Sequence, residues 1–266
     1  MRKVVKRPVM RYHGGKWMLA DWIISHFPKH RCYVEPFGGA ASVLMKKDRS
    51  YAEVYNDLHG EVVNVFKVLR DAGEQLREVL YLTPFSRSDF IESYEHSCDP
   101  VEQARRTISR TFMGFGSNAH NKKTGFRANS NRSGTTPAHD WRNYAEAIPW
   151  MIDRLRGVVI ENRHAFEVMK THDSTKTLHY VDPPYVSETR GKGGDYAFEM
   201  TDDDHRELAA VLCQLKGAVI VSGYPSELYE TVYGDWERVE RKAFADGARE
   251  RTEVLWIRNV SKTMLF

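Results

Sequence analysis

The alternation of apolar and polar residues along the chain predicts strands and helices that follow one another. Short runs rich in β-branched and aromatic residues are typical of strands, whereas helical spacing and N-terminal caps indicate helices. The predicted strands cover residues 32–34, 51–55, 158–161, 178–181 and 218–222. The predicted helices cover residues 16–26, 40–47, 60–69, 166–170 and 201–215. Repeated strand–helix units favour a parallel sheet, so the pattern predicts an α/β fold.

Two further strand-like runs lie at residues 236–244 and 252–260. The connection between them is too short for a crossover helix, so we expect an antiparallel hairpin at the sheet edge. Between residues 67 and 150 the strand pattern disappears, and helical stretches surround a polar, glycine-containing segment. We interpret residues 67–150 as an inserted, mainly helical domain, and residues 1–66 with 151–266 as one discontinuous domain.

The composition adds limits on the class of protein. A chain of 266 residues with 41% hydrophobic residues is long enough for a substantial core without disulfides or metals. Its three cysteines are odd in number and far apart, which argues against a disulfide framework and predicts a reducing, intracellular setting. No run of about 18 apolar residues occurs, so we expect no membrane span. The histidines lack metal-ligand spacing, and no metal site is expected.

The tetrapeptide Asp182-Pro183-Pro184-Tyr185 follows the strand predicted at residues 178–181. Proline cannot continue a central ladder, so the strand should stop here with free carbonyl acceptors. An amino group on a planar base could donate its N–H bonds to the Asp182 carboxylate and a proline carbonyl, which would increase electron density on the nitrogen. Tyr185 could stack on the same base. An ordinary strand-ending turn is the alternative, because aspartate and proline are common turn residues.

A second pair of motifs suggests a nucleotide-like ligand. Glu35-Pro36-Phe37-Gly38-Gly39-Ala40 follows the first strand and opens a helix, where glycines allow close approach of the backbone to a ligand. Asn56-Asp57 closes the second strand, where a carboxylate can accept hydrogen bonds from a ribose, although a strand-end cap is the alternative. Together they predict an adenosine-containing ligand. The three-glycine dinucleotide fingerprint is missing, which disfavours a dehydrogenase.

Three polar segments have compositions that suggest a role for each. Residues 118–142 contain one acid, Asp140, beside several basic residues, which favours contact with phosphates and base edges over a merely solvated loop. The basic residues of this segment are Lys122, Lys123, Arg127, Arg132 and Arg142. The acids after Thr201 are interpreted as helix N-terminal caps and not as metal ligands. Residues 191–194, Gly-Lys-Gly-Gly, could form a lid or a plain linker.

In order and spacing, these motifs resemble the Dam-like DNA adenine N6-methyltransferases of the D12 class and alpha group. Besides the glycine loop, Asn56-Asp57-Leu58 and the tetrapeptide, the resemblance rests on three segments, Arg11-Tyr12-His13-Gly14-Gly15-Lys16, residues 201–208 and residues 251–259. It implies a Rossmann-like class I methyltransferase sheet with residues 67–150 as the DNA target-recognition domain. It also implies S-adenosylmethionine as the methyl donor, duplex DNA as the partner, a cytoplasmic setting in a bacterium or phage-infected cell, and no obligate protein partner.

The resemblance also implies roles for individual residues. Asp182, Pro183, Pro184 and Tyr185 are the catalytic signature, and the adenine must be flipped out of the duplex for direct transfer to its N6. The residues assigned to the cofactor are Tyr12, Lys16, Phe37, Gly38, Gly39, Asp57 and Asp182. The basic, asparagine-containing composition of residues 118–142, and not the resemblance, assigns to DNA the residues Lys122, Lys123, Arg127, Asn129 and Arg132.

Two rival functions stay open at this point. The tetrapeptide also suits adenine in RNA or N4 of cytosine, since all are exocyclic amines. A catalytically silent DNA-binding protein is the other alternative, disfavoured because Lys16, Asp57 and Asp182 are all present. Residues 123–129 depart from the sequence that the family usually carries in its recognition hairpin, so no target sequence is predicted.

Overall fold

A computed structural model of the chain shows a mixed α/β fold and describes residues 5–119, 121–130, 134–189, 197–244 and 250–259. Its strands are β1 (Cys32–Glu35), β2 (Ala52–Asn56), β3 (Val158–Glu161), β4 (Thr177–Val181), β5 (Ala218–Gly223), β6 (Glu237–Phe244) and β7 (Glu250–Arg258). They form a seven-stranded sheet in the order β3-β2-β1-β4-β5-β7-β6. The sheet is mostly parallel, as expected of a methyltransferase fold, and the predicted α/β class is confirmed.

Helices occupy about half of the remaining described chain. They are α1 (Ala20–Ser25), α2 (Ser42–Lys46), α3 (Gly60–Asp71), α4 (Gly73–Leu82), α5 (Arg87–Glu92), α6 (Pro100–Met113), α7 (Pro137–Arg142), α8 (Ile148–Leu155), α9 (Ala165–Thr171), α10 (Asp202–Gln214) and α11 (Glu227–Val232). Short 3-10 helices cover Ala145–Ala147 and Ser187–Thr189.

Strand pairing explains how the sheet presents its ends. Strand β1 lies parallel to β2 and β4, and β4 lies parallel to β5. Strand β7 is antiparallel to both β5 and β6, which confirms the predicted hairpin at the edge. The residues that follow β1, β2 and β4 therefore emerge at one edge of the sheet, the edge where doubly wound folds bind ligands.

Two predicted helices begin at least two residues later than expected. The helix predicted from residue 16 begins at Ala20, because the preceding residues form a turn in which the Gly15 N–H bonds to the Tyr12 carbonyl and the Lys16 ammonium bonds to the Gly14 carbonyl. The helix predicted from residue 40 begins at Ser42, because Ala41 has a φ of 53°, in the left-handed region.

The chain divides into two compact units. The first contains Met1–Met18, Gly39–Lys46 and His59–Ile160, and in it α3 and α4 both pack against α6 and α8. The second contains Leu19–Gly38, Lys47–Leu58 and Glu161–Phe266. One core cluster of this unit joins α10 and α11 to β4, β5 and β7 through residues such as Leu208, Tyr229, Val221 and Trp256. The assignment of residues 67–150 to a separate DNA-recognition domain stays a prediction.

Strand β4 is buried along its whole length and contains a histidine. His179 is fully buried, and burial lowers its pKa to about 4, although a hydrogen bond of 3.3 Å from its Nε2 to Asp173 opposes the shift. Asp173 also accepts the backbone N–H groups of Lys216 and Gly217 at 2.8 and 2.9 Å. Burial raises the pKa of Asp173, but these hydrogen bonds outweigh it and lower that pKa overall.

We therefore expect the free energy of unfolding to fall as the pH is lowered from about 6.5 to about 4. In that window the unfolded chain binds a proton at residue 179 that the folded chain excludes, which corresponds to about 3 kcal/mol in total. Denaturant unfolding measured across this range, in the wild type and in His179→Gln, checks it. Glutamine cannot titrate and still has a donor for Asp173, so the variant should have a shallower dependence on pH. Equal slopes in the two proteins would contradict this account.

Candidate active site

The catalytic tetrapeptide predicted from the sequence lies directly after β4. Parallel pairing sets Val181 beside Val221 of β5, so the next residues, Asp182 and Ser222, are also neighbours. Asp182 is half-buried, and the Ser222 hydroxyl donates to its Oδ1 at 2.8 Å. The register of β4 and β5 and the hydrogen bond from Ser222 thus position the Asp182 carboxylate together.

A second hydroxyl extends this hydrogen-bonded chain into the core. Tyr180 on β4 is buried, and its hydroxyl lies 3.1 Å from the Ser222 Oγ. Since an ionised carboxylate only accepts hydrogen bonds, the Ser222 proton points to Asp182 and Tyr180 donates to Ser222. Burial, and then the charge of Asp182, raise the pKa of Tyr180 well above its usual value, so it stays a donor.

The other end of the tetrapeptide is held by Glu253 of β7. The Tyr185 hydroxyl donates to the Glu253 Oε1, and both residues are buried, with 5% and 2% of their surfaces exposed. Tyr224, which follows β5, meets the Tyr185 ring edge-on, at 4.7 Å between centroids and 79° between planes. Burial, the Glu253 charge and the Asp182 charge raise the pKa of Tyr185 well above its usual value. The Tyr185 ring, which was predicted to stack on a base, is thus enclosed and held in place by protein contacts even without a substrate.

The loop after β1 is tied to the end of β2. The Gly38 N–H bonds to the Asn56 carbonyl at 2.8 Å, and the fully buried Asn56 amide donates to the Pro36 carbonyl at 2.9 Å. Asn56 also exchanges hydrogen bonds with the backbone of Arg163, at 3.0 Å as donor and 2.9 Å as acceptor. A Cβ at Gly38 would lie 2.2 Å from the Tyr55 ring, so this position requires glycine.

Next to this loop, the chain offers groups that suit an adenosine-containing ligand. Asp57 is a half-buried carboxylate immediately after β2, and the Asn162 amide fixes its carbonyl at 2.7 Å. Phe37 is half-buried and packs against the core cluster of the second unit. Three neighbouring parallel strands end close to these groups: β1 before Phe37 and Gly38, β2 before Asp57, and β4 before Asp182. A ligand with a ribose, a base and a cationic centre fits this set of residues.

The remaining residues assigned to the cofactor belong to the first unit. Lys16 is 6% exposed, and its Nζ donates to the Gly14 carbonyl at 2.8 Å. Gly39 has a φ of 46°, and a Cβ there would lie 2.8 Å from the Tyr12 ring. The close approach of Gly39 to Tyr12 explains why this glycine cannot be replaced without strain.

The basic loop predicted to contact DNA also lies in the first unit, where it is anchored to the helices. Phe126 packs against Phe85 and Phe90, at 5.1 and 5.7 Å between ring centroids. The Arg127 side chain donates to the Phe112 carbonyl at 3.0 Å, and the Tyr94 hydroxyl donates to the Lys122 carbonyl at 3.2 Å.

The predicted DNA-contacting residues differ in exposure within this loop. Lys122, Lys123 and Asn129 are exposed, whereas Arg127 is half-buried and serves as an anchor. Arg132, also predicted to contact DNA, lies outside the described residues. The Gly-Lys-Gly-Gly segment at residues 191–194 lies outside them too.

The acidic run after Thr201 forms a helix cap, as predicted. The Thr201 side chain accepts the Asp204 N–H, and the Asp204 carboxylate accepts the Thr201 N–H, which together form a capping box. Within the described ranges, no group of three or more His, Cys, Asp or Glu residues is arranged to hold a metal ion. No helix in the same ranges has both the length and the apolar character needed to cross a membrane.

Sequence reasoning missed two residues that hold the tetrapeptide, Ser222 and Glu253. Ser222 could have been found from strand order, because the last residues of two adjacent parallel strands lie side by side. Glu253 carried a weaker signal, a single acid before the apolar run Val254-Leu255-Trp256-Ile257 of a strand. Which residue it would face depends on the placement of β7 next to β5, and the sequence pattern alone did not predict that pairing.

Comparison with known proteins agrees with this geometry. The sequence profile of the D12 class N6 adenine-specific DNA methyltransferases matches residues 12–246. A DNA adenine methylase from Serratia marcescens is 24% identical over 240 residues, which cover 85% of this chain and 87% of the relative. The type II methyltransferase M1.LlaDCHI from Lactococcus lactis subsp. cremoris is 26% identical over 88% of this chain and 87% of its own length. A DNA adenine methylase from Escherichia coli K12 is 33% identical over 37% of each chain.

The fold, together with the profile match, thus defines a methyltransferase. The chain belongs to the D12 class of N6 adenine-specific DNA methyltransferases, since the profile covers most of its length. S-adenosylmethionine is the methyl donor of this class, and the donor set at the ends of β1, β2 and β4 fits it.

Replacement of Gly38 by alanine should destabilise the folded protein by about 1–3 kcal/mol, because the new Cβ would overlap the Tyr55 ring. It should also weaken S-adenosylmethionine binding by displacing the loop. Gly125→Ala is the matched control for stability, since nothing lies within 4 Å of a Cβ at that position. Thermal unfolding and calorimetric titration of both variants check this. Equal melting temperatures for the two variants would contradict the prediction, since the loop at Gly38 would then accept a Cβ with no loss of stability.

Proposed function

We propose that this protein transfers the methyl group of S-adenosylmethionine to N6 of an adenine that is rotated out of duplex DNA. The observation that carries the proposal is the Asp182 carboxylate, fixed at the end of β4 by the Ser222 hydroxyl at 2.8 Å. A turn that served only to end the strand would not need a half-buried carboxylate supported by two hydroxyl groups. Membership of the D12 class supplies the reaction type.

The chemistry proposed for Asp182 is hydrogen-bond polarisation of the target amine. Its carboxylate accepts one N–H of the adenine amino group, and a proline carbonyl of the tetrapeptide accepts the other. Both contacts draw the lone pair of N6 out of conjugation with the ring. When bound, S-adenosylmethionine supplies a sulfonium methyl group, so that the N–C bond forms as the S–C bond breaks, and N6 then releases a proton to solvent.

Pre-organisation is the main contribution proposed for the protein. Ser222 orients Asp182 before the substrate arrives, and the two prolines restrict the backbone between Asp182 and Tyr185. Groups that already point at the reacting atom need no reorganisation during the reaction. In this proposal the Tyr185 ring stacks on the flipped adenine, which requires the base to displace what now covers that ring.

The proposed cofactor contacts rest on the donor set and on the family resemblance. Asp57 accepts hydrogen bonds from the ribose hydroxyls, Gly38 allows close approach of the backbone, and Phe37 contacts the adenine ring of the donor. Tyr12, Lys16 and Gly39 are assigned to the same ligand by the sequence resemblance alone.

The proposed DNA contacts are electrostatic in the first instance. Lys122 and Lys123 are exposed on a loop anchored by Phe126 and Arg127, so their ammonium groups suit phosphates. Asn129 is exposed on the same loop and suits a base edge. We propose residues 67–150 as the target-recognition domain, without an obligate protein partner, and the bacterial cytoplasm as the setting, as expected of an enzyme that acts on chromosomal or phage DNA.

Asp182→Ala should lower methyl transfer by at least about 100-fold, since it removes the group that polarises the target amine. Affinity for DNA should stay within about twofold, because phosphate contacts dominate it. Transfer of labelled methyl groups and DNA-binding titrations check this. Asp235→Ala, which removes an exposed carboxylate elsewhere in the second unit, is the control and should retain wild-type turnover. Near-normal transfer by Asp182→Ala would overturn the mechanism.

Charge reversal at Lys122 and Lys123 should weaken DNA affinity and make its dependence on salt less steep, since fewer counterions are released on binding. Titrations at several salt concentrations check this. The double variant Lys170→Glu with Lys176→Glu changes the net charge by the same amount at exposed positions of the second unit. A salt dependence that falls equally in both double variants would mean that net charge, and not the loop, determines binding.

A further inference from the structure

The buried carboxylate of Glu253 has no role in the mechanism proposed above. It lies on β7 with 2% of its surface exposed, close to the edge of the sheet where the catalytic tetrapeptide emerges. Burial of a carboxylate costs free energy unless hydrogen bonds compensate it. The contact that points toward the reaction is the hydrogen bond it accepts from the Tyr185 hydroxyl.

Tyr185 is mechanically coupled to Asp182 by the two residues between them. Pro183 and Pro184 have fixed φ angles, so the backbone from Asp182 to Tyr185 has little freedom to rotate. A displacement of the Tyr185 ring would therefore move the proline carbonyls and Asp182. Ser222 restrains the Asp182 end, and Glu253 restrains the Tyr185 end.

The hydroxyl end of Tyr185 is restrained by its hydrogen bond to Glu253, and the ring is restrained by aromatic contacts. Tyr224 contacts the ring edge-on at 4.7 Å, and the Arg251 guanidinium lies 5.6 Å from the Tyr224 ring centroid. These aromatic contacts limit sideways movement of the Tyr185 ring, but they do not fix how deeply its hydroxyl inserts. The hydrogen bond to Glu253 sets that depth.

We propose that Glu253 is a positioning residue for methyl transfer, acting through the Tyr185 hydroxyl to hold the tetrapeptide in its reactive geometry. The inference rests on the proposed function of Asp182 and Tyr185. A purely structural Glu253 would affect stability alone, whereas a positioning residue affects the rate of the methyl-transfer step in protein that is fully folded and has bound both substrates.

The test is a double-mutant cycle with single-turnover methyl transfer to unmethylated duplex DNA as the readout. The variants are Glu253→Ala, Glu253→Gln, Tyr185→Phe and the double variant Glu253→Ala with Tyr185→Phe. Glutamine keeps a carbonyl acceptor for the tyrosine hydroxyl, and phenylalanine removes the hydroxyl but keeps the ring. Tyr229→Phe is the matched control, since it removes another buried hydroxyl, hydrogen-bonded to His205 at 3.2 Å, in the same unit.

Glu253→Ala should lower the single-turnover rate on the order of 100-fold, with affinity for S-adenosylmethionine within about twofold of the wild type. The single-turnover rate of Glu253→Gln should be at least about tenfold higher than that of Glu253→Ala. In the Tyr185→Phe background, Glu253→Ala should cost almost nothing more, because the contact through which it acts is already gone. Tyr229→Phe should lower the melting temperature and leave the rate unchanged.

Three outcomes would overturn the inference while the proposed function stands. The first is a folded Glu253→Ala with a rate within about threefold of the wild type. The second is a glutamine variant as slow as the alanine variant, and the third is independent losses at Glu253 and Tyr185 that multiply in the double variant. Failure of the proposed function would look different, since the wild-type protein itself would then produce no N6-methyladenine.

Discussion

The parallel pairing of β4 with β5 is the constraint on which the candidate active site depends. It sets Val181 beside Val221 and thereby brings the Ser222 hydroxyl to the Asp182 carboxylate. Backbone hydrogen bonds between two buried strands hold this register, and a slip by one residue would turn Ser222 to the opposite face of the sheet. The Asp182 carboxylate, the proposed catalytic group, is therefore positioned by the core of the protein and not by a flexible loop.

The other groups proposed to take part in the reaction lie at the same edge of the sheet. Asn56 at the end of β2 holds the loop after β1 through the Pro36 carbonyl, and Asp57 follows it directly. On the other side of β4, β5 and β7 supply Ser222 and Glu253, one for each end of the tetrapeptide. The residues proposed for the cofactor and those proposed for catalysis thus lie at the ends of neighbouring strands, which is the arrangement expected when a methyl donor and its acceptor must meet in line.

Features that depend on residues close together in the sequence were predictable from the sequence alone. Proline at positions 183 and 184 cannot continue a central strand, and Thr201 followed by Asp204 forms a capping box through contacts within one helical turn. The strand bounds at residues 158–161 were predicted without error, because β-branched residues fill that segment. Such features depend on neighbours in the sequence, so a single chain contains the information.

Features that depend on contacts between distant segments were not predictable in the same way. The hydrogen bond between Tyr185 and Glu253 joins a residue in the segment after β4 to a residue of β7, and these segments meet only because β7 lies between β5 and β6 in the sheet. The late start of α1 depends on a competing turn at Gly14 and Gly15 that helical periodicity does not reveal. Enclosure of the Tyr185 ring likewise follows from packing by Tyr224 and β7, and its sequence position indicates only that it ends the tetrapeptide.

In the proposed reaction, the amine held at Asp182 is N6 of adenine in duplex DNA. The most direct test is incubation of the protein with labelled S-adenosylmethionine and unmethylated duplex DNA, followed by digestion to nucleosides and identification of the labelled product. We expect the label in N6-methyldeoxyadenosine. Label in N4-methyldeoxycytidine, or transfer to RNA but not to duplex DNA, would contradict it, as would a protein that binds DNA and transfers no methyl group.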